Sequence, residues 1–116
     1  VKLIVVELDG KVLFEKRPAS GIWGGLVSLP ECAMDEDVGD VVRARFDVQV
    51  GVRESMPAIE HGFTHYTLTM HPVRCVASAW PQQVAEPRIA WLTPSDALQA
   101  ALPSPIRRLI LRLQAL

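Results

Sequence analysis

The glycine-rich stretch at residues 17–31 has the composition of a ligand-binding loop. It holds three glycines, two prolines and Trp23 in fifteen residues, a density that no helix tolerates, so we predict a long ordered loop. Ser20 and Gly21 can present backbone amides to phosphate oxygens, and Arg17 can contact phosphate directly. Two alternatives stay open: Arg17 is an ordinary surface cation, and the glycines serve only to let Trp23 pack.

A second candidate stretch, His-Gly-Phe-Thr-His-Tyr, occupies residues 61–66. We predict a tight turn there, in which the Thr64 hydroxyl and the backbone groups from Gly62 to His65 offer hydrogen-bond donors and acceptors. His65 can donate to a phosphate or hold the turn. Phe63, in a strand-like context, is on composition alone more typical of core packing. No metal-ligand spacing links the histidines, so we predict no metal site.

The elements that position these stretches follow from periodicity and turn signals. Residues 1–8 and 11–16 are β-rich and flank Asp9-Gly10, a strong hairpin signal. An acidic stretch at 31–40, expected to be a solvated loop, precedes a helix to about residue 46, in which apolar residues recur at helical spacing. Further elements are expected as strands at 26–29, 48–52, 56–59, 67–79 (with Pro72 at an edge or bulge) and 88–92, and as helices starting at Thr93-Pro94 and Ser104-Pro105. The fold class predicted is α+β: a mixed β-sheet sandwich with one mid-chain helix and C-terminal helices.

Composition limits the classes of function. The chain has 116 residues, 49% of them hydrophobic, and a net charge of -1, so we predict one domain with its own core and no global attraction to nucleic acid. Cys32 and Cys75 lie far apart and are predicted to be reduced. No apolar run is long enough for a membrane span. Because the chain begins inside a strand-like run, we expect a domain excised from a longer protein.

The order of hairpin, glycine-rich loop and helix resembles the Nudix fold. The family signature is Gly, five residues, Glu, seven residues, then Arg-Glu-hydrophobic-X-Glu-Glu, and Gly25 and Glu31 match its first half. Nudix hydrolysis needs adjacent helix carboxylates to hold a divalent metal against a diphosphate. Arg43 and Ala44 stand where that pair belongs. The resemblance therefore implies the fold without the hydrolysis, and we predict no catalytic residue in this chain.

One family with this fold has closely similar loop sequences. Residues 16–31 resemble the C-terminal, MutT-like domain of the bacterial adenine DNA glycosylase MutY, which removes adenine mispaired with 8-oxoguanine. Residues 61–66 resemble that family's Phe-Ser-His loop, with Thr64 at the serine position, and residues 103–109 are similar to its closing helix. The resemblance implies a module that recognises the lesion.

The resemblance assigns roles to the second stretch. Guanine presents an acceptor at N7 in the major groove, whereas 8-oxoguanine presents N7–H, a donor. Thr64 and the backbone from Gly62 to His65 would supply the acceptor and fixed partners. Phe63 would insert beside the base pair and favour extrusion of the adenine, and Arg17 and Ser20 would contact the backbone phosphates.

The resemblance also implies partners. These are double-stranded DNA containing an 8-oxoguanine:adenine mispair and an N-terminal catalytic domain of the same polypeptide, in a bacterial cytoplasm near the nucleoid, with no membrane association. This chain would carry no cofactor, while the absent catalytic domain would hold an iron–sulfur cluster. Two alternatives remain: an active Nudix hydrolase of oxidised nucleotides, and a protein-docking module.

Overall fold

The computed structural model describes residues 1–81 and 88–115. In these residues the chain forms eight strands and three helices. In chain order they are β1 (Lys2–Leu8), β2 (Lys11–Lys16), β3 (Val27–Ser28), β4 (Glu31–Cys32), α1 (Val38–Phe46), β5 (Val50–Ser55), β6 (Ile59–Gly62), β7 (Thr67–Ala77), β8 (Ile89–Leu92), α2 (Pro94–Ala97) and α3 (Ser104–Gln114).

The sheet is mixed, with β1 and β7 at its centre. The two strands run parallel over six residue pairs, from Lys2 opposite His71 to Glu7 opposite Val76. All other pairings are antiparallel: β1 with β2 and β4, β2 with β3 and β8, and β7 with β5 and β6. The predicted fold class, a mixed α+β architecture with one mid-chain helix and C-terminal helices, is confirmed.

Both faces of the sheet are buried, which explains why β1 is an almost continuous apolar run. Leu3 and Val5 belong to a core on the side of α2 and α3, and Ile4 and Val6 belong to a second core on the side of α1. The alternation places a helical layer on each face. Residues 17–26 of the glycine-rich stretch join β2 to β3, and we call this segment the glycine-rich loop.

Helices α1 and α2 each begin at a side-chain cap. The Asp37 carboxylate accepts from the Asp40 amide at 3.0 Å at the start of α1, and the Thr93 hydroxyl accepts from the Asp96 amide at 3.1 Å at the start of α2. α3 begins at Ser104 after Pro103, with no side-chain cap. The predicted helices are therefore present at the expected places.

Pro72 lies in a central strand and not at an edge or bulge. The His71 amide donates to the Val1 carbonyl at 2.8 Å, so the nitrogen of Pro72 points to the opposite side of β7. There the partner strand changes from β6 to β5, and the Met56 amide donates to the Pro72 carbonyl at 2.9 Å. The nitrogen of Pro72, which has no hydrogen to donate, therefore lies at the junction of β6 and β5, where neither strand requires a hydrogen bond from it.

Two other local predictions differ from the structure. Glu31 and Cys32 form β4 opposite Leu3 and Lys2, where a solvated loop was expected. Where strands were expected at 48–52 and 56–59, residues 50–55 form a single strand, β5, whose register with β7 shifts between residues 52 and 54. The next strand, β6, begins only at Ile59. No helix in the described residues is long and apolar enough to cross a membrane.

Candidate nucleic-acid interface

The glycine-rich loop is folded tightly on itself. The Gly25 amide donates to the Pro18 carbonyl and the Leu26 amide to the Trp23 carbonyl, both at 3.1 Å. Trp23 has a left-handed backbone, with φ 53°. A Cβ at Gly24 would lie 2.3 Å from the Ala19 carbonyl oxygen, so only glycine is accommodated there without backbone movement.

The Arg17 side chain stabilises this loop by contacting other residues of the same stretch. Its Nε donates to the Ile22 carbonyl at 2.9 Å, and its guanidinium lies 3.3 Å from a carboxylate oxygen of Glu31. Its side chain is only 20% exposed. Ser20, by contrast, lies on an exposed bend of the same loop. The two residues predicted to contact phosphate therefore lie on one loop, but Arg17 already has protein partners.

The second stretch forms the turn between β6 and β7. Gly62 pairs with Thr67 at the end of the ladder, and the Phe63 amide donates to the Tyr66 carbonyl at 2.7 Å. Thr64 and His65 are exposed at the tip, and neither side chain hydrogen-bonds to another described residue. The turn thus presents a hydroxyl and an imidazole to solvent on a closed backbone.

Ring contacts join the loop to the turn. The indole of Trp23 lies 5.7 Å from the His61 ring and 5.8 Å from the Phe63 ring, measured between centroids. His61 and Phe63 meet edge to face at 4.8 Å, and Phe63 stacks on Tyr66 at 4.8 Å with an interplanar angle of 25°. We call these four residues the ring cluster.

The ring cluster changes the assignment of individual residues. Phe63 is half-buried and contacts the rings of Trp23, His61 and Tyr66, which is the packing role expected from composition; its insertion beside a base pair stays a prediction. Tyr66 was given no role from the sequence and is 48% exposed. Its position directly after the Gly62–His65 segment was the one feature of the sequence that could have indicated a role at this site. Only the structure shows that Tyr66 stacks on Phe63.

Ion pairs occupy the face where α1 approaches the loop. A cavity of about 490 Å³ there is lined by Glu15, Lys16, Arg17, Pro18, Glu31, Arg45, Phe46 and Arg88. Arg45, from α1, donates to both Glu15 carboxylate oxygens at 2.8 and 3.0 Å and to the Glu31 carbonyl at 3.1 Å. These contacts hold the two acidic side chains of the cavity in pairs with arginines.

The residues that replace the Nudix carboxylates face solvent. Arg43 pairs with Asp40 at 3.1 Å, one turn earlier in α1. In the part of the chain that the structure describes, no three His, Cys, Asp or Glu side chains come together in a way that could hold a metal ion. At these two positions α1 therefore presents a cation paired with Asp40 and an alanine, and not two adjacent carboxylates.

Both cysteines are buried free thiols. Burial, with a smaller contribution from the charge of Glu7, raises the pKa of Cys75 to about 12. Burial likewise raises the pKa of Cys32. Neither thiol is positioned as a nucleophile.

The sequence matches the NUDIX domain family over residues 1–112, and the chain belongs to that family.

Three solved structures illustrate the range of similar folds. A NUDIX hydrolase from Nitrosomonas europaea superposes with a TM-score of 0.71 at 15% identity, over 98% of this chain and 86% of that one. The C-terminal domain of mouse MUTYH, solved in complex with human PCNA, gives 0.69 at 19% identity, over 98% and 85%. The ORF135 protein of E. coli gives 0.68 at 20% identity, over 99% and 87%. At these identities the similarity establishes the fold alone.

Proposed function

We propose that this chain is the lesion-recognition domain of a MutY-type adenine DNA glycosylase and binds DNA containing 8-oxoguanine opposite adenine. The observation that carries the proposal is the joining of the glycine-rich loop to the turn: Trp23 contacts Phe63, and the same turn exposes Thr64 and His65. These are the two stretches with the strongest resemblance to that family.

The chemistry of the turn supports reading of the oxidised base. The Thr64 hydroxyl accepts from N7–H of 8-oxoguanine, which guanine lacks, and backbone groups from Gly62 to His65 provide fixed partners. The hydrogen bond from the Phe63 amide to the Tyr66 carbonyl holds this backbone, so little conformational freedom is lost on binding. His65 donates to a nearby phosphate, and Phe63 lies against the base pair. Ser20 contacts the sugar-phosphate backbone, together with the N–H groups of Arg17 that Ile22 and Glu31 do not engage.

Catalysis belongs, in this proposal, to a domain outside this chain. An N-terminal domain of the same polypeptide, with an iron–sulfur cluster, removes the adenine, and the protein works in the bacterial cytoplasm at the nucleoid. Arg43 and Ala44 in place of adjacent carboxylates support a binding role over a hydrolytic one. The similarity in fold to the MUTYH C-terminal domain is consistent with a role in DNA repair.

An NMR titration of the 116-residue chain at low salt tests the proposal. Two duplexes that differ only in 8-oxoguanine or guanine opposite adenine are compared, and we expect larger amide shifts at Thr64 and His65 with the lesion duplex. With a net charge of -1, the affinity should be low and should fall steeply with salt.

Two threonine variants test which hydroxyl produces the preference for the lesion duplex. Thr64→Ala should remove the preference for the lesion, whereas Thr67→Ala, at the neighbouring exposed position of the hairpin, should retain it. Equal shifts with both duplexes for the wild-type chain would contradict autonomous reading of the lesion.

A further inference from the structure

Tyr66 is the outermost ring of the ring cluster. Trp23, His61 and Phe63 are each half-buried, whereas Tyr66 is 48% exposed. One face of the Tyr66 ring stacks on Phe63, at 4.8 Å and 25°, and the ring contacts no other aromatic residue in the described part of the chain. A flat ring supported from behind is therefore presented to solvent.

The Tyr66 ring is held in place by its neighbours, although its side chain is exposed. Its backbone carbonyl accepts from the Phe63 amide at 2.7 Å, and the Phe63 ring behind it is fixed edge to face by His61 at 4.8 Å. Trp23 links this stack to the glycine-rich loop. Because the support is already built, stacking another planar group on Tyr66 costs little conformational entropy.

We propose that Tyr66, supported by Phe63, is a stacking platform for a nucleobase that has lost a neighbour in the duplex next to the lesion. The inference rests on the proposed function, and it adds a second base contact, from a residue that lies behind the tip of the turn. One face of Phe63 is covered by Tyr66, so Phe63 supports the Tyr66 ring in addition to its proposed contact with the base pair. Thr64 reads the identity of the base, and Tyr66 supplies affinity that does not depend on sequence.

Position and chemistry favour a base over a protein side chain as the occupant. Thr64 and His65, which precede Tyr66 directly, are hydrogen-bonding groups without side-chain partners among the described residues. Extrusion of a nucleotide leaves an uncovered base face, and aromatic rings stack on such faces. A platform beside hydrogen-bonding groups matches a planar polar heterocycle.

The chain permits a direct test because Tyr66 is its only tyrosine. With ¹³C-labelled tyrosine, the ring signals belong to one residue, and stacking on a base should shift the ring protons upfield through the ring current. The titration uses matched duplexes carrying 8-oxoguanine:adenine, guanine:adenine or an abasic site opposite 8-oxoguanine. We expect the largest upfield shift with the abasic duplex, which already has an uncovered base face.

Substitutions separate this inference from the proposed function. Tyr66→Phe should bind like the wild type, and Tyr66→Leu should bind all three duplexes about fivefold or more weakly, with an unchanged ratio between lesion and guanine. Trp80→Leu is the control, since Trp80 is an exposed aromatic residue outside the ring cluster, packed on Trp91.

The results that would overturn the stacking platform differ from those that would overturn lesion reading. Wild-type affinity of Tyr66→Leu, or no upfield shift, overturns the platform while leaving the Thr64-dependent preference intact. Loss of that preference with a persisting Tyr66 shift overturns lesion reading and retains the platform. No binding of any duplex at low salt overturns both.

Discussion

Trp23 and Phe63 lie 5.8 Å apart between ring centroids, although forty positions separate them in the sequence. This contact joins two loops into one surface, although the loops leave the sheet at different points. The glycine-rich loop follows β2, and the turn connects β6 to β7. The candidate interface therefore forms only in the tertiary structure, and its order depends on residues that need not contact DNA.

Replacing Trp23 should disturb the turn as well as the stability of the fold. Trp23→Ala removes a half-buried ring that packs on His61 and Phe63, and we expect a loss of about 2 kcal/mol in the free energy of unfolding. Urea denaturation measures this loss, and amide spectra should show shifts at Thr64 and His65. Trp80→Ala serves as the control and should leave those two signals in place. Unmoved signals in Trp23→Ala would show that the turn is ordered without the loop.

Gly24 should be the least replaceable glycine of the loop. In Gly24→Ala the new Cβ meets the Ala19 carbonyl oxygen at 2.3 Å and its carbon at 2.8 Å, so the backbone has to move. We expect a loss of about 1–3 kcal/mol by urea denaturation. Gly51→Ala is the matched control, because nothing lies within 4 Å of its Cβ position, and it should be neutral or slightly stabilising. Equal effects of the two changes would contradict a tightly closed loop.

Local signals were enough to predict most of the elements. Asp9 and Gly10 both adopt positive φ, 50° and 78°, as the hairpin signal requires. In α1, Val38, Val42 and Phe46 are buried one turn apart, which is the periodicity that indicated the helix. These features depend on neighbours in the sequence, and a single sequence records them directly.

Features that depend on distant partners could not be predicted in the same way. Pro72 was expected at an edge or bulge because its missing donor is costly inside a sheet, but the change of partner strand beside it removes that cost. The sequence likewise gave no reason to connect Arg45 with Glu15, thirty positions away. The stacking of Tyr66 on Phe63 depends on the geometry of the closed turn, which residue types alone do not determine.

The wild-type chain should release no pyrophosphate from 8-oxo-dGTP in the presence of Mg²⁺. Arg43 and Ala44 cannot ligate the metal, and the Glu15 carboxylate in the cavity is held by Arg45. A pyrophosphate assay and the melting temperature with and without Mg²⁺ measure this directly. Metal-dependent release, or a clear rise in melting temperature with Mg²⁺, would contradict the binding role and support the hydrolase.

A double substitution provides the matched comparison for the metal test. Arg43→Glu with Ala44→Glu restores adjacent carboxylates and breaks the pair between Arg43 and Asp40. Repulsion between acidic side chains one turn apart should lower the melting temperature without metal, and Mg²⁺ should recover part of the loss by bridging the carboxylates. A variant insensitive to Mg²⁺ would show that the surrounding cavity, and not only these two positions, excludes the metal.

The Cys75 thiol should make stability fall at alkaline pH. Its side chain is 0% exposed, and the folded state raises its pKa from 9.0 to about 12. Above about pH 9 the unfolded chain loses this proton while the folded chain keeps it, so stability should fall by up to about 1.4 kcal/mol per pH unit between pH 9 and pH 12. Below pH 9 both states are protonated and the thiol contributes no slope.

Cys75→Ala tests the alkaline effect because alanine cannot titrate. The variant loses a buried sulfur and should be about 1–2 kcal/mol less stable at neutral pH, but its free energy of unfolding should fall less steeply between about pH 9 and pH 10.5 than that of the wild type. Urea denaturation at several pH values compares the two slopes, and the contribution of other groups cancels in their difference. Identical slopes would mean that Cys75 titrates alike in the folded and unfolded chain, and that its burial does not govern the alkaline limit of stability.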